Sequence, residues 1–287
     1  MPELPEVKTT VRGLKQVLGR EIEDVWCDNE KMTKQDYPDF KKQIKGKEIK
    51  DARRRAKFIL MDLSEDKTLM LHQRLTGHLL LGKWERKNGE WVAEQDILNQ
   101  KVNGYLHLIF YLDDGQMLVL SDLRKFATAE LWDTKKLEKS DRLQKLGPEP
   151  LTEDFDLQAF KDALKRRSAA IKTILMKQEV LAGIGNIYSD EILWRAKIHP
   201  STPTNELNNE ELKKILKEIK SVLEKALQKR GTSIADYRDI HGEKGHYQEE
   251  LEAYHQHGEP CSRCGSTVKR MKIGGRSAHF CPKCQPE

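Results

Sequence analysis

The sequence predicts an α+β chain of two large parts and a small terminal appendage, and three observations carry that reading. Through the first half, short apolar runs are separated by Gly-, Asp- and Ser-containing turns, the pattern of strands. After Pro150 the apolar spacing becomes helical. Four of the five cysteines fall in the last 27 residues. The length of 287 residues agrees, at roughly 100–200 residues per domain, and the domains are expected at 1–150, 151–251 and 252–287.

In chain order, Pro2 and Pro5 precede Val7, Val11, Leu14, Val17 and Leu18, a helical spacing stopped by Gly19. Residues 58–63 and 68–72 read as strands around a turn at 64–67, and 105–112 with 117–120 as a hairpin turning at Asp113-Asp114-Gly115. Residues 82–100 are polar and aperiodic and read as an inserted loop. Leu146-Gly147-Pro148-Glu149-Pro150 closes the β-rich half. Helices are expected at 156–165, 169–176, 186–196 and 208–229, with a shorter one at 249–255.

Lys and Arg number 51 against 46 Asp and Glu, a net charge of +5. A mean hydropathy of −0.73 and no run near the roughly 20 apolar residues of a spanning helix exclude a helical membrane protein. The acidic N-terminus is unlike a secretory signal, so the chain is expected in the cytoplasm. Nine basic residues lie between Lys41 and Lys57. Further clusters are Lys165-Arg166-Arg167 and Lys269-Arg270-Met271-Lys272 to Arg276. Such runs are commonly solvated faces, but three in separate segments also suit a polyanion.

Cys261-x2-Cys264 and Cys281-x2-Cys284 are separated by 16 residues. Two such knuckles bring four thiolates to one tetrahedral ion, a closed structural zinc site that leaves no open catalytic position. A pair of redox motifs is the alternative, and the thioredoxin-like context is lacking. Cys27 reads as an inert thiol in a strand. Gly183-Ile184-Gly185-Asn186 lies between helical segments. It is either a plain helix–turn–helix corner or, with Asn186 capping the next helix, an anion site.

These pieces coincide in one family. Met1-Pro2-Glu3-Leu4-Pro5-Glu6-Val7, Arg54-Arg55-Ala56-Lys57, Asp122-Leu123-Arg124-Lys125-Phe126, the 146–150 segment, Gly183 to Tyr188 with Glu191, Ile198-His199-Pro200 and the four cysteines occur in order. The chain closely resembles bacterial formamidopyrimidine-DNA glycosylases over nearly its whole length, except near 82–103. The resemblance implies an N-terminal helix on a β-sandwich, a helix–two-turn–helix domain and a zinc-binding β-hairpin. It implies excision of oxidised purines from duplex DNA and strand cleavage by the same enzyme, acting as a monomer held at the nucleoid through its substrate.

The resemblance assigns roles residue by residue. From the residues alone Pro2 reads as a helix-starting proline. Once Met1 is removed, the match makes its secondary amine the nucleophile, and an α-amine with a pKa near 8 is partly unprotonated at neutral pH. Glu3 becomes the proton shuttle. Glu6 stands nearby, although a first-turn acid also suits the helix dipole. Lys57 and Arg276 match phosphate-contacting residues that assist the eliminations. Asn186, Tyr105 and Arg167 match DNA contacts, with Tyr105 in place of a histidine and Arg167 in place of a lysine. Leu75, Arg124 and Phe126 match side chains that fill the gap left by a flipped base. Leu75 replaces a methionine there, and Ala127 follows Phe126 where glycine is common. The 242–247 segment resembles the one that covers the flipped base. Two other readings fit parts of the pattern: a sister enzyme of the endonuclease VIII type, acting on oxidised pyrimidines, and a non-catalytic zinc-ribbon DNA-binding protein. Pro2, Glu3 and Lys57 together stand against the last.

Overall fold

The structure, a computed structural model, describes all 287 residues and divides into two compact units. The first comprises Met1–Gln144 with Lys229–His246, the second Lys145–Gln228 with Tyr247–Glu287.

The first unit opens with α1 (Leu4–Leu14), whose Leu4, Val7, Val11 and Leu14 are buried at helical spacing. It ends earlier than the periodicity suggested, passing into a 3-10 turn at Lys15–Val17. Helix α2 (Tyr37–Ile44) is capped by Asp36, whose carboxylate accepts from Asp39 N. Strands β1 (Glu21–Cys27), β2 (Lys47–Arg55), β3 (Phe58–Leu63), β4 (Lys67–His72), β5 (His78–Gly82), β8 (Leu106–Leu112), β9 (Met117–Ser121) and β10 (Thr128–Asp133) form an antiparallel sheet in the order β10-β4-β3-β2-β1-β8-β9-β5. Between β1 and β2 only Glu21↔Glu48 and Ile22↔Lys47 pair, so the sheet is barely joined there. One core takes Ile59, Met61, Leu69 and Leu71 from one half and Leu79, Leu108, Phe110 and Leu120 from the other. That is the interior of a sandwich.

Residues 82–100 are not a bare loop. They contain the hairpin β6 (Trp84–Lys87) and β7 (Glu90–Ala93), turning at Asn88-Gly89 with positive φ at both positions, followed by a 3-10 turn. Trp84, Ala93 and Leu98 form a separate cluster with Leu80, Ile109 and Val119, and Trp26 and Trp91 meet edge to face 5.5 Å apart. The segment reads as polar because only alternate or isolated side chains face the sheet.

After β10, two short helices, α3 (Thr134–Glu138) and α4 (Asp141–Gln144), end the N-terminal stretch of the first unit, to which Lys229–His246 also belongs. The second unit holds α5 (Leu157–Leu164), α6 (Ile171–Leu175), α7 (Asn186–Ala196) and α8 (Asn209–Gln228). The helix expected at 249–255 is only a 3-10 turn at Tyr247–Glu250. The chain beyond it is held instead by Glu191 of α7, which accepts from Glu252 N, Ala253 N and Tyr254 N (2.9–3.0 Å). The terminal ribbon pairs β11 (Lys269–Ile273) with β12 (Arg276–Phe280) around Gly274-Gly275, both with positive φ, as a two-residue hairpin turn requires.

Candidate active site and zinc centre

Pro2, Glu3 and Glu6 are all buried at the start of α1. The Glu6 carboxylate bridges two backbone donors: its Oε2 accepts from Glu3 N (2.8 Å) and its Oε1 from Thr232 N (2.7 Å). Lys57, 5% exposed, lies in the turn between β2 and β3. The terminal amine of Met1 feels all three charges. Burial pulls it below its ordinary value of 8.0 and Lys57 adds to that, while Glu3 and Glu6 oppose. A terminal amine, two carboxylates and a lysine therefore share one small region.

Leu75, Arg124 and Phe126 are built into the same unit. Leu75, Leu123 and Phe126 are among only five exposed large apolar side chains, with Met1 and Ile234. Single exposed apolar side chains are common, but several gathered in one cleft mark a site for a partner. Met1, Leu75 and Phe126 line one cleft of about 600 Å³ together with Lys31, Lys34, Arg74 and Lys125. The Arg124 guanidinium lies 4.7 Å from the Phe126 ring centre.

Asp122, quoted above within a motif but given no role of its own, organises this loop. It is fully buried, and its carboxylate accepts from Phe126 N (2.6 Å), Ala127 N (2.7 Å), Arg124 N (3.2 Å) and the Thr76 hydroxyl. It thus holds the Leu75 and Phe126 loops to each other. Asp122 N in turn donates to Tyr105 O (2.9 Å), which places half-buried Tyr105 behind the loop. His107, two residues on, donates from Nδ1 to Asp28 (2.9 Å) and is buried.

Four of the nine basic residues in the 41–57 run are paired with local acids: Lys41 with Asp24 (2.9 Å), Lys47 with Glu65 (2.6 Å), Lys50 with Glu48 (2.6 Å) and Arg53 with Asp62 (2.7 Å). For these the solvated-face reading holds.

Arg167, Asn186, Arg276 and the cysteines lie in the second unit. Asn186 is the first residue of α7, not its cap. Gly185 occupies the cap position, and the Asn186 side-chain oxygen is buried without a hydrogen-bond partner. The turn before it is fixed by Gln178, which accepts from Gly183 N (2.9 Å) and donates to Ile184 O (2.8 Å). Arg167 donates from Nε to Ala163 O (3.2 Å). Arg276 is exposed and opens β12 beside the glycine turn.

A buried cluster that sequence reasoning did not see fixes that hairpin. Asp190 of α7 accepts from Lys172 Nζ (2.5 Å) through one oxygen, and from His279 N (3.1 Å) and Nδ1 (2.8 Å) through the other. All three residues are buried. They are 18 and 89 positions apart, so no local pattern announces them.

The four sulfurs of Cys261, Cys264, Cys281 and Cys284 lie within 4.8 Å of one another, and Cys264 and Cys281 Sγ are 3.5 Å apart. A tetrahedral zinc with bonds of about 2.3 Å needs sulfurs about 3.8 Å apart, so the set fits one ion. Hydrogen bonds from Ser266 draw Cys264 down to about 6, while burial pushes Cys284 up to about 12. A bound divalent ion resolves that conflict by stabilising every thiolate. Cys27 is half-buried in β1, and burial raises its thiol as expected of an inert one.

Comparison with known proteins meets this geometry along the whole chain. Residues 1–129 match the formamidopyrimidine-DNA glycosylase N-terminal domain, 146–238 its H2TH domain, and 258–286 a zinc finger found in these glycosylases and in IleRS. A formamidopyrimidine-DNA glycosylase of Streptococcus thermophilus is 39% identical over 286 residues, 99% of each chain. That of Herpetosiphon aurantiacus is 40% identical over 291 residues, covering 99% of this chain and all of the relative. This chain belongs to the formamidopyrimidine-DNA glycosylase family. It is thus a zinc-finger DNA glycosylase of base-excision repair. The Lactococcus lactis enzyme in complex with abasic-site DNA superimposes with a TM-score of 0.88 at 35% identity, over 99% of this chain and 100% of the other. Its complex with N7-benzyl-Fapy-dG DNA gives 0.88 at 36%, over all of both chains. No helix of the protein is long and apolar enough to cross a membrane.

Proposed function

We propose that this chain excises oxidised purines, 8-oxoguanine and formamidopyrimidines, from duplex DNA, and then cuts the strand by β,δ-elimination through a Schiff base on Pro2. The observation that carries the reading is the sharing of one cleft by the N-terminus, Leu75 and Phe126, with Glu3, Glu6 and Lys57 around the amine. The names of the relatives and the DNA in the Lactococcus lactis complexes support it.

Removal of Met1 transfers the terminal amine to Pro2. Its lone pair forms a bond to C1′ as the glycosidic bond breaks, and the base leaves with that bonding pair and takes up the proton that the proline nitrogen gives up. Glu3 protonates the ring oxygen as the sugar opens to an iminium. The iminium acidifies the 2′ hydrogens; loss of one expels the 3′ phosphate, and a second elimination expels the 5′ phosphate. Lys57 and Arg276 hold the phosphates through charge-assisted hydrogen bonds. Leu75 and Phe126 fill the gap left by the extruded nucleotide, and Arg124, stacked on Phe126, takes the polar side. Arg167, Asn186 and Tyr105 contact the backbone. The protein acts as a monomer.

The test is borohydride trapping on an abasic duplex. The mature protein should form a covalent complex, and one extended by a residue before Pro2, its nitrogen an amide, should bind DNA but trap none. Glu3→Gln should lower base excision by about 10²–10⁴-fold, the usual share of a positioned proton donor. Trapping by the blocked protein would move the nucleophile to a lysine. Faster excision of thymine glycol than of 8-oxoguanine would replace purine lesions by pyrimidine ones.

A further inference from the structure

The loop 229–246 of the first unit is closed on itself. His246 N donates to Lys229 O (2.8 Å), Gly245 N to Ser233 Oγ (2.9 Å), and Arg230 pairs with Asp239 and with Glu243 (2.9 Å to the latter). Such compact loops with adjoining ends are packed by their own side chains, so where they are held decides what they position.

Two of its anchorages lead toward the site. The first is Glu6. Gly231 has φ +84° and lies so close that a Cβ would stand 2.6 Å from Glu6 Oε1, Thr232 N donates to that oxygen, and Tyr237 Oη donates to Glu6 O (3.1 Å). The second is the inserted segment. Gly242 has φ +80°, and a Cβ there would stand 2.8 Å from Asn103 Nδ2 and 2.9 Å from Leu98 Cδ2. The fully buried Asn103 donates from Nδ2 to Ile97 O (2.8 Å) and to Gly242 O (3.4 Å), and its Oδ1 accepts from His78 Nε2 (3.1 Å). Beside this, Ile240 O accepts from Leu81 N (2.7 Å) and its side chain is pressed on Gly13 of α1.

We propose that Asn103 is a positioning residue for base removal. It ties the inserted segment to the 239–242 turn, and the loop carries that anchorage to the Glu6 carboxylate and thence to the backbone of Glu3. The proposal rests on the functional reading above. Loss of the Asn103 clamp lets the loop shift, and Glu6 then loses one of its two backbone donors. A misplacement of about 1 Å at a reacting centre can slow a positioned step by about a hundredfold. Cleavage at a preformed abasic site, where no base has to leave, is affected far less.

Asn103→Asp tests this with little change of volume. It keeps the acceptor for His78 but turns the donor that faces Ile97 O and Gly242 O into a second acceptor. Gly242→Ala tests the same contact from the other side, should the buried carboxylate prevent folding. Three readouts apply to both: single-turnover excision of 8-oxoguanine, cleavage at a preformed abasic site, and tryptic nicking at Arg230, Arg238 and Lys244. Nicking should rise and excision fall about tenfold or more, with abasic cleavage within about threefold of the parent protein. An equal fall in both activities, or faster nicking with unchanged excision, would overturn the proposal. A parent protein inert on both substrates would instead remove the functional reading itself.

Discussion

In the first unit, Asp122 and Glu6 bury carboxylates whose partners are mainly backbone N–H groups of neighbouring loops. In the second, Asp190 meets a buried lysine and a buried histidine, and four thiols close around the place of an ion. The two arrangements differ in what they need. Backbone amides are present in any sequence and carry no full charge, so the loops bearing Leu75 and Phe126 are ordered by the chain alone. The hairpin bearing Arg276 depends on a charge pair with no access to water and on metal. The second unit should therefore fail more abruptly when one partner is removed.

The largest effect expected is loss of zinc. Cys281→Ser, or a strong chelator, should release β11 and β12 and weaken duplex DNA binding by roughly ten- to hundredfold, since phosphate contacts from the hairpin are lost. Fluorescence can separate the units. Trp26, Trp84, Trp91 and Trp132 lie in the first, whereas Trp194 packs against Cys261 and Cys281 in the second, with Arg263 3.9 Å from its ring centre. A single-tryptophan variant retaining Trp194 should respond to metal removal, and one retaining Trp132 should not. Equal responses would break the comparison.

Next in size is Asp190→Ala, which strands Lys172 in the interior and should destabilise by about 3–5 kcal/mol in urea melts. Replacing both partners, Lys172→Met with Asp190→Leu, should recover most of it, because no unpaired charge remains. Asp122→Ala in the first unit leaves only neutral N–H groups of a largely exposed loop and should cost about 1–3 kcal/mol. A loss larger than that of Asp190→Ala would reverse the comparison.

The smallest effect is a difference in pH dependence. Burial lowers His78 to about 4, with hydrogen bonds to Thr76 and Asn103 and the charge of Asp122 opposing. Unfolded histidine titrates near 6.5, so the folded chain binds fewer protons. His78 therefore contributes stability that is present above about 6.5 and lost as pH falls through about 4, on the order of 3 kcal/mol. Burial raises Glu191 to about 7 against the pull of three backbone donors. Its contribution runs the other way: present below about 4.5 and lost as pH rises through about 7. In urea midpoints followed against pH, His78→Gln should flatten the acid limb and Glu191→Gln the slope between about pH 4.5 and 7. A Glu191→Gln profile parallel to that of the parent would remove the contrast.

Much of this was legible because it is local. The helix starting at Leu4, the hairpins and the paired CxxC motifs depend on residues within a few positions of each other, and Gly274-Gly275 announces its own turn. The inserted segment was missed because its strands are four residues each, with few apolar positions, too short for a period to register. The 249–255 helix was expected from local pattern, and tertiary anchoring by Glu191 took its place.

The sequence by itself determined the order of parts, the zinc ligands and, through resemblance, the candidate nucleophile and wedge residues. Tertiary structure alone decided which groups meet. Asp122 gathers two loops 46 residues apart, Glu6 takes a donor 226 residues away, and Asp190 joins Lys172 to His279. A buried polar group must be satisfied by whatever donor packing brings within about 3 Å, and sequence separation says nothing about that distance. The same holds for Asn103: a polar residue in an aperiodic stretch becomes a clamp only once the sheet folds it against Gly242.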